Sequence, residues 1–527
     1  MKRREFIATA GLTTVASLTN FPLSAAEKLK SNTISSDPRK NIKKFLFFDL
    51  WKLDYWDNCK LVQGSAEFIP EATFEDNSVP GKGAGKPNVY FDSHEKVWRM
   101  IYNLGWGPVG LMTAISDDGI LWHRDPHPEV EIPAEDGKRI ASNHIFQLDD
   151  AAAGGLYQDP LAKDGFPFKI FVQISGEKVY KRALADSKHQ LHSAALQGGN
   201  YNTFHEERML VSKDGLHWQL HDDYLWSRTD WHPEPPYFGF YNTLLNKHSM
   251  IVRPGWGDRR VAIQSTSDFQ NWSNPELLLQ MDSLDTAPIG FYTMPVIQCG
   301  QMYVGLLWVF HNSSSQPVNS FNQFYGTMDA QLAYSYDGIR FTRGFRDPLL
   351  PLNPFPQHGC TQLRPYSLIE HGSEIRIYSG ASRAPHGLES AMRRQTGADT
   401  NAVVMHRLRK DGWMYLRSNG HWARFQTKPM GIWSSEIRIN ASAPFGIVRW
   451  QITDEKSNPI EGFSFEECIP LQYNDSREWS IKWKNAQIQD VIGKVIRLEF
   501  EFYNANFYSF TTAYHMLDAQ DKWLMDE

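Results

Sequence analysis

The sequence has few cysteines, no long apolar run and no excess of basic residues. Its 527 residues include four cysteines, Cys59, Cys299, Cys360 and Cys468, and no Cys-x-x-Cys pair. This argues against a thiolate metal site and predicts at most one disulfide. A net charge of −6 and a pI near 6.3 leave no basic stripe for nucleic acid or an acidic membrane surface. We therefore expect a neutral partner, and neither a metal nor another cofactor.

The amino-terminal segment has the features of an export signal. A basic run at residues 2–4 precedes Phe6 and a mildly apolar stretch at 8–18, which ends near small residues at 24–26. Paired arginines followed by phenylalanine resemble a twin-arginine signal, and the small residues suit a signal peptidase. The apolar stretch is too short and interrupted for a permanent membrane anchor. We predict that residues 1–26 are a signal peptide and that the protein is periplasmic or secreted.

Aromatic residues are abundant although the chain is polar. They make up 13% of the sequence, with 18 Trp and 21 Tyr, while the mean hydropathy is −0.47. Much of this aromatic surface must therefore lie beside polar groups. The faces of sugar rings stack on aromatic rings while their hydroxyl groups need polar partners. A carbohydrate is the expected substrate.

A short motif recurs along the chain. Residues 116–122, 212–218 and 335–341 share Ser-x-Asp-Gly-x-x-aromatic, and 265–272 is a looser relative. The Asp-Gly pair is a turn signal between strands, and the following aromatic residue supplies apolar mass for packing on a neighbouring unit. Short β-rich runs precede each copy, and a fifth set of runs follows the last. Repeats of roughly 40–70 residues with four strands each predict a β-propeller.

The repeat defines the predicted domains. Residues 27–44 are predicted to be a linker and residues 45–410 a five-bladed propeller. We expect residues 45–48 to complete the last blade, so that no sheet edge is exposed. Residues 496–502 alternate apolar and charged side chains, which indicates strands with one buried face. Residues 411–527 are therefore predicted to form a β-sandwich. The predicted fold is all-β, a five-bladed β-propeller followed by a C-terminal β-sandwich.

This order of hairpins and sandwich resembles exported bacterial proteins related to the five-bladed propeller glycoside hydrolases of the invertase, levanase and arabinanase type. The resemblance implies that fold and a carbohydrate-active function. The chain departs from the group's motifs: it has no Trp-x-Asn-Asp-Pro-Asn-Gly segment, and its Arg-Asp-Pro triplets at 124–126 and 346–348 are misplaced. The Glu-Cys pair at 467–468 falls in the predicted sandwich. The group's active-site residues therefore do not transfer by motif.

Glycoside hydrolysis needs two carboxyl groups, one to protonate the leaving oxygen and one to activate water or attack the anomeric carbon. Because the innermost strand of each blade faces the central pocket, these groups should lie at or just before such strands. The catalytic candidates are Asp76, Asp230, Glu234 and Asp285. We predict that Glu234 is the general acid, since its Trp and Pro neighbours would desolvate it and favour its protonated form. Asp76 or Asp285 would be its partner.

Sugar-binding side chains are expected around the same pocket. Residues 253–260 form the densest run of suitable groups, because arginines can hold hydroxyl groups or a sugar carboxylate while a tryptophan stacks on a ring. The substrate-binding candidates are Trp106, Arg253, Trp256, Arg260, His311, Arg383 and His386.

Three functions are compatible with these residues. The leading one is an exo-acting glycoside hydrolase. The alternatives are a non-catalytic carbohydrate-binding protein and a polysaccharide lyase, with a His or Tyr base and a uronate held by Arg253 or Arg260. Two carboxyl groups about 5–10 Å apart would favour hydrolysis. Arginine with His or Tyr, but without that pair, would favour elimination or simple binding.

Overall fold

A computed structural model describes residues 41–104, 109–132, 139–148, 151–175, 205–221, 233–256, 258–285, 289–313, 324–396 and 400–517. The predicted export signal, Trp106 and Asp230 lie outside these residues. The described chain is all-β apart from helix α1 (Glu389–Thr396) and a short 3-10 helix (Ile488–Val491). No helix within the described ranges has the length and apolar character needed to cross a membrane.

The strands of the described residues are, in chain order, β1 (Ile42–Leu46), β2 (Leu53–Asp57), β3 (Cys59–Gln63), β4 (Glu67–Phe74), β5 (Ala84–Asp92), β6 (Val97–Leu104), β7 (Val109–Ser116), β8 (His123–Arg124), β9 (His144–Leu148), β10 (Ala151–Gln158), β11 (Phe168–Ser175), β12 (His205–Ser212), β13 (Trp218–His221), β14 (Glu234–Asn242), β15 (Lys247–Arg253), β16 (Val261–Thr266), β17 (Glu276–Leu279), β18 (Ile289–Phe291), β19 (Val296–Cys299), β20 (Met302–Asn312), β21 (Gly326–Ser335), β22 (Thr342–Leu350), β23 (Gln362–His371), β24 (Glu374–Ser382), β25 (Asn401–Arg409), β26 (Met414–Ser418), β27 (Ala423–Thr427), β28 (Met430–Ile432), β29 (Arg438–Thr453), β30 (Leu471–Ser480), β31 (Val495–Tyr503) and β32 (Asn506–Met516).

Strands β4 to β25 form five antiparallel units of consecutive strands. The first sheet is β5-β6-β7-β8 with β9 beside β7, the second is β10 to β13, and the third is β14 to β17. In the fourth unit β18 and β19 both pair with β20, followed by β21 and β22. The fifth is β23-β24-β25-β4, joined to the fourth by one parallel pair, Met328 with Gln362. Short hairpin connections of this kind favour neighbouring antiparallel strands.

The strand that completes the fifth sheet is β4, which pairs with β25. The prediction that residues 45–48 complete it is wrong, because β1 pairs instead with β32 in the C-terminal part of the chain. Phe45 stacks there on Phe510, with ring centres 4.4 Å apart. Apolar character alone does not distinguish β1 from β4, since both segments are suited to a buried strand.

Each of the five sheets packs on the next through buried apolar side chains, and the order is cyclic. The first and second sheets share one apolar cluster, as do the second and third, the third and fourth, the fourth and fifth, and the fifth and first. The cluster that links the fifth sheet back to the first includes Tyr378 and Trp98. This burial of apolar area between consecutive sheets supplies the main stabilisation of this region.

The repeated Ser-x-Asp-Gly motif forms the hairpin between the third and fourth strands of a sheet. Asp118 Oδ1 accepts hydrogen bonds from the backbone N–H groups of Ile120 and Leu121, at 2.7 and 2.9 Å, and Gly119 takes a left-handed φ of 72°. The Tyr378 hydroxyl of the fifth sheet donates to the Gly119 carbonyl at 2.8 Å. The motif therefore fixes a turn and attaches it to the neighbouring sheet.

The remaining strands, β1 to β3 and β26 to β32, form a ten-stranded sheet that encloses one apolar cluster. The long strand β29 pairs with β32 along its first half and with β31 along its second. In β31 the predicted apolar residues of 496–502 are buried. Lys44 ties this sheet to the fifth one, because its Nζ bonds Asp411 at 2.7 Å and Glu370 at 3.1 Å.

Candidate functional site

Several of the candidate side chains lie at one end of the five sheets. In the third sheet Glu234, the first residue of β14, lies opposite Arg253, the last residue of β15. Antiparallel pairing therefore places the start of each first strand, the end of the second and the start of the third at the same end. We call this the polar end. The Ser-x-Asp-Gly hairpins join third and fourth strands and lie at the opposite end.

Glu234 forms an ion pair with Arg253 at the polar end. The Glu234 side chain is 60% exposed, whereas that of Arg253 is 9% exposed. The expected desolvation of Glu234 is therefore not found. Glu234 therefore lies in solvent beside a guanidinium, and not in the apolar surroundings predicted for the proton donor.

Arg253 and Arg259 both lie over the ring of Tyr292, with guanidinium carbons 4.4 and 5.1 Å from its centre. The Tyr292 hydroxyl and His386 Nε2 are 2.7 Å apart, and His386 Nδ1 lies 2.9 Å from the carbonyl of Phe324. Because a carbonyl only accepts, Nδ1 carries the proton and Nε2 accepts from Tyr292. Burial lowers the pKa of His386 and raises that of Tyr292, which keeps both groups neutral.

Two further cations lie at the polar end. Lys86, at the start of β5, has a left-handed φ of 54° and donates to the carbonyl of Ala153 at 3.4 Å. Burial, together with the charge of Arg364, lowers the pKa of Lys86 to about 8. The Arg364 charge also acts to lower the pKa of His386. Cations from several sheets therefore lie at the polar end. The left-handed backbone of Lys86 is a form of strain often found at functional sites.

A second carboxylate, Glu207, lies in the neighbouring sheet and shares a hydrogen-bond partner with the residue before Glu234. Glu207 lies in β12 and is only 1% exposed. Gln173 Nε2 donates to Glu207 Oε1 at 3.2 Å and to the carbonyl of Pro233 at 2.8 Å. Burial first, and then the charge of Glu207, raise the pKa of Tyr237 well above its usual range, and Glu234 acts in the same direction. The Tyr237 hydroxyl lies between the two, because it accepts from Gln173 Nε2 at 3.4 Å and donates to the Pro233 carbonyl at 3.1 Å.

Asp285 lies apart from this group. The two nitrogens of Arg343 bond its two oxygens at 2.6 and 2.7 Å, and Arg343 belongs to β22, the outermost strand of the fourth sheet. Although burial opposes it, this guanidinium holds the pKa of Asp285 below its usual range. His311 is occupied with Asp329, at 2.8 Å, and that bond raises the pKa of His311. Neither residue contacts Glu234 in the way the sequence suggested.

Asp76 is buried in the connection between β4 and β5. It accepts hydrogen bonds from the Tyr102 hydroxyl and from the backbone N–H of Ser78, so both oxygens are used. These partners belong to the first sheet and its entry loop, not to the third sheet that holds Glu234. Asp76 lines an open pocket of about 620 Å³, together with residues that include Glu75, Trp122 and Arg124.

The other binding candidates are spread around the molecule. Arg260 bonds Asp258, and Trp256 is 38% exposed. The backbone of Arg383 donates to Thr400 at 2.9 Å, and its charge acts on His358. Of the sequence-predicted residues, the structure thus brings together Glu234, Arg253 and His386. No group of three or more His, Cys, Asp or Glu among the described residues is arranged to hold a metal ion, and all four cysteines are unpaired.

Sequence reasoning missed several residues of the polar end. Arg259 lies inside the run 253–260 that was singled out, but only its neighbours were selected. Glu207 belongs to a charged triplet, Glu-Glu-Arg, at the start of an otherwise apolar strand, and this placement is a usable signal. Tyr292 and Arg364 carry no local signal, because their contacts are with residues distant in sequence.

No known family model matches the chain, and no curated protein matches it. Solved structures that are similar include the GH43 BlXynB protein from Bacillus licheniformis, at 10% identity and a TM-score of 0.40 over 84% of this chain and 100% of that one. An N-acetylgalactosamine deacetylase from F. plautii, solved with blood group B trisaccharide, is 12% identical with a TM-score of 0.41, over 68% and 97%. An exo-1,5-alpha-L-arabinanase from a bovine ruminal metagenomic library is 10% identical with a TM-score of 0.36, over 65% and 98%. The predicted similarity to structures of glycoside hydrolases is therefore found.

Proposed function

We propose that the five sheets are the blades of one closed, five-bladed β-propeller and that the C-terminal sheet is a β-sandwich. The cyclic order of the five apolar clusters supports closure. The bond from Tyr378 to the hairpin of the first sheet supports it as well. In such a ring the first strands line the axis, and the polar end is the mouth of the central pocket.

We further propose that the protein is a glycoside hydrolase whose substrate binds at the polar end. The observation that carries this proposal is that the Gln173 amide bonds Glu207 of the second sheet and the carbonyl of Pro233, the residue before Glu234 of the third sheet. Arginine, tyrosine and histidine side chains lie nearby. A sugar with many hydroxyl groups requires such hydrogen-bonding partners. The exo mode of attack belongs to the same proposal.

The two carboxyl groups have different environments, which suits two roles. Glu207 is 1% exposed and is proposed to protonate the leaving glycosidic oxygen. Glu234 is exposed and paired with Arg253. It is proposed to attack the anomeric carbon or to remove a proton from the attacking water. The bond from the anomeric carbon to the leaving oxygen breaks as the new bond to that carbon forms.

Carboxamide variants test these roles. Glu207→Gln and Glu234→Gln keep the size of each side chain but remove its proton chemistry, and each should lower the hydrolysis rate by about 10²–10⁴-fold. A screen of plant, algal and microbial glycans, read for released monosaccharide, supplies the substrate for this assay. The matched control is Glu67→Gln, because Glu67 is 63% exposed and paired with Arg407, much as Glu234 is with Arg253.

The control variant should hydrolyse the substrate at the wild-type rate. If Glu234→Gln and Glu207→Gln also keep that rate while retaining the wild-type melting temperature, the proposed carboxylate pair is wrong. Binding of glycans without release of any sugar would instead support a non-catalytic carbohydrate-binding protein.

Elimination is a second candidate, favoured by the bond between Tyr292 and His386. In a lyase, His386 Nε2 would accept the phenol proton while the Tyr292 oxygen removes the proton at C5 of a uronate. The electron pair would then form the C4–C5 double bond, and the C4–O bond to the leaving sugar would break as that oxygen takes the proton held by His386. The ultraviolet absorbance of the unsaturated uronate distinguishes this product from that of hydrolysis.

We also propose that the protein is exported through a twin-arginine-type signal at residues 1–26. The support is the order of basic, mildly apolar and small residues in the sequence. Export would place the polar end where extracellular or periplasmic polysaccharide is available.

A further inference from the structure

The arginines of the polar end have more hydrogen-bond donors than the described residues satisfy. One nitrogen of Arg253, Nη2, donates a hydrogen bond to Glu234. Its Nε and Nη1 are buried and lack a hydrogen-bond partner among the described residues. A buried guanidinium with unpaired donors costs free energy unless an acceptor is supplied. The donors are therefore available to a ligand.

Arg259 is held by aromatic rings. Its guanidinium lies 5.1 Å from the ring centre of Tyr292, 5.2 Å from that of Phe310 and 6.0 Å from that of Phe324. In the ranges that the structure describes, no carboxylate forms an ion pair with Arg259. Aromatic faces orient a guanidinium without neutralising it, so its N–H groups stay free for an acceptor near Tyr292.

The net charge around these donors selects the kind of ligand. Two guanidinium groups, those of Arg253 and Arg259, lie over the one ring of Tyr292. Glu234 neutralises Arg253, and no carboxylate in the described ranges forms an ion pair with Arg259. A neutral sugar would leave the Arg259 charge without a counter-charge there, whereas an anionic group would pair with it and accept the free donors.

We infer that Arg253 and Arg259 together bind the carboxylate of an acidic sugar, so that the substrate is a uronate-containing glycan. The planar fork of a guanidinium presents parallel N–H donors that match the two oxygens of a carboxylate. This inference rests on the proposed function in placing the substrate at the polar end, and it names the substrate's charge.

Calorimetric titration of the full chain tests the inference without turnover. The probes are D-galacturonate and D-glucuronate, each compared with its neutral counterpart, D-galactose or D-glucose, and D-galactose 6-sulfate tests for a different anion. The uronates should bind more tightly than the neutral sugars and the sulfate. Arg259→Gln should weaken uronate binding by about 10–100-fold, the usual value of a hydrogen bond to a charged group.

The matched control is Arg417→Gln. Arg417 also lies over a tyrosine ring, that of Tyr415 at 5.3 Å, but in the C-terminal sheet, and its loss should leave uronate binding unchanged. Arg259→Lys, which keeps the charge but loses the fork, should fall between the wild type and Arg259→Gln. These comparisons hold for variants whose melting temperature matches the wild type.

Equal binding of D-galactose and D-galacturonate would overturn the inference, as would the absence of uronate binding at millimolar concentration. Tighter binding of the sulfate, or equal uronate affinity in Arg259→Gln and Arg417→Gln, would also overturn it. The proposed function fails separately: uronate binding without cleavage of any glycan would leave this inference standing and refute hydrolysis.

Discussion

Acid should weaken the fifth sheet through one buried histidine. His406 lies in β25, opposite Phe68 of β4, and is 1% exposed. Its Nε2 donates to Asn353 Oδ1 at 2.8 Å, while Nδ1 is buried and has no hydrogen-bond partner in the described parts of the chain. A second proton would have to occupy Nδ1. Burial therefore lowers the pKa of His406 to about 3.

The size of this effect follows from linkage. The unfolded chain has an ordinary histidine pKa of about 6.5, so the unfolded state binds a proton more readily. For a base with a lowered folded-state pKa, the stability is fully present above pH 6.5 and is lost as the pH falls toward 3. Between pH 8 and pH 5 the contribution of His406 to the free energy of unfolding should fall by about 2 kcal/mol.

Urea unfolding at pH 8 and pH 5 measures this loss in the wild type and in His406→Gln. Glutamine keeps an N–H donor for Asn353 and does not titrate, so the variant should lose about 2 kcal/mol less between the two pH values. Other histidines titrate equally in both proteins and cancel in the difference. An identical pH dependence in the two proteins would refute the reasoning.

Two other predictions concern stability and export. Asp285→Asn should lower the melting temperature, because it leaves the buried Arg343 guanidinium without its ionic partner. The rate of glycan cleavage per folded molecule should stay unchanged. A large loss of that rate in fully folded protein would instead indicate that Asp285 belongs to the active site. Replacement of Arg3 and Arg4 by lysine should retain the protein in the cytoplasm, as cell fractionation would detect, whereas unchanged export would exclude a twin-arginine route.

Local patterns in the sequence predicted local structure well. The Ser-x-Asp-Gly turns depend on bonds within a few residues, such as those from Ile120 and Leu121 to Asp118, so they are visible in the sequence alone. The alternation at 496–502 likewise predicted a strand with one buried face. Residues 45–48 were assigned to the wrong sheet, because an apolar run predicts a buried strand but does not indicate which strand it pairs with.

The predicted site failed where roles depended on distant partners. Asp76, Asp285 and Glu234 were ranked by their position before strands, yet Tyr102 and Arg343 occupy the first two. The burial expected for Glu234 is found at Glu207. An ionisable group's behaviour is set by the charges and solvent around it, and most of these come from other sheets.

The sequence by itself determined the all-β class, the repeated turns and the types of side chain available, since each of these depends on short-range conformational preference and on hydrophobic pattern. Only the tertiary structure decided which strand completes the fifth sheet and which charges meet. Arg253, Arg259 and His386 come together around Tyr292 because the ends of three sheets lie side by side. Contacts between residues so far apart in the chain produce no periodic pattern in the sequence.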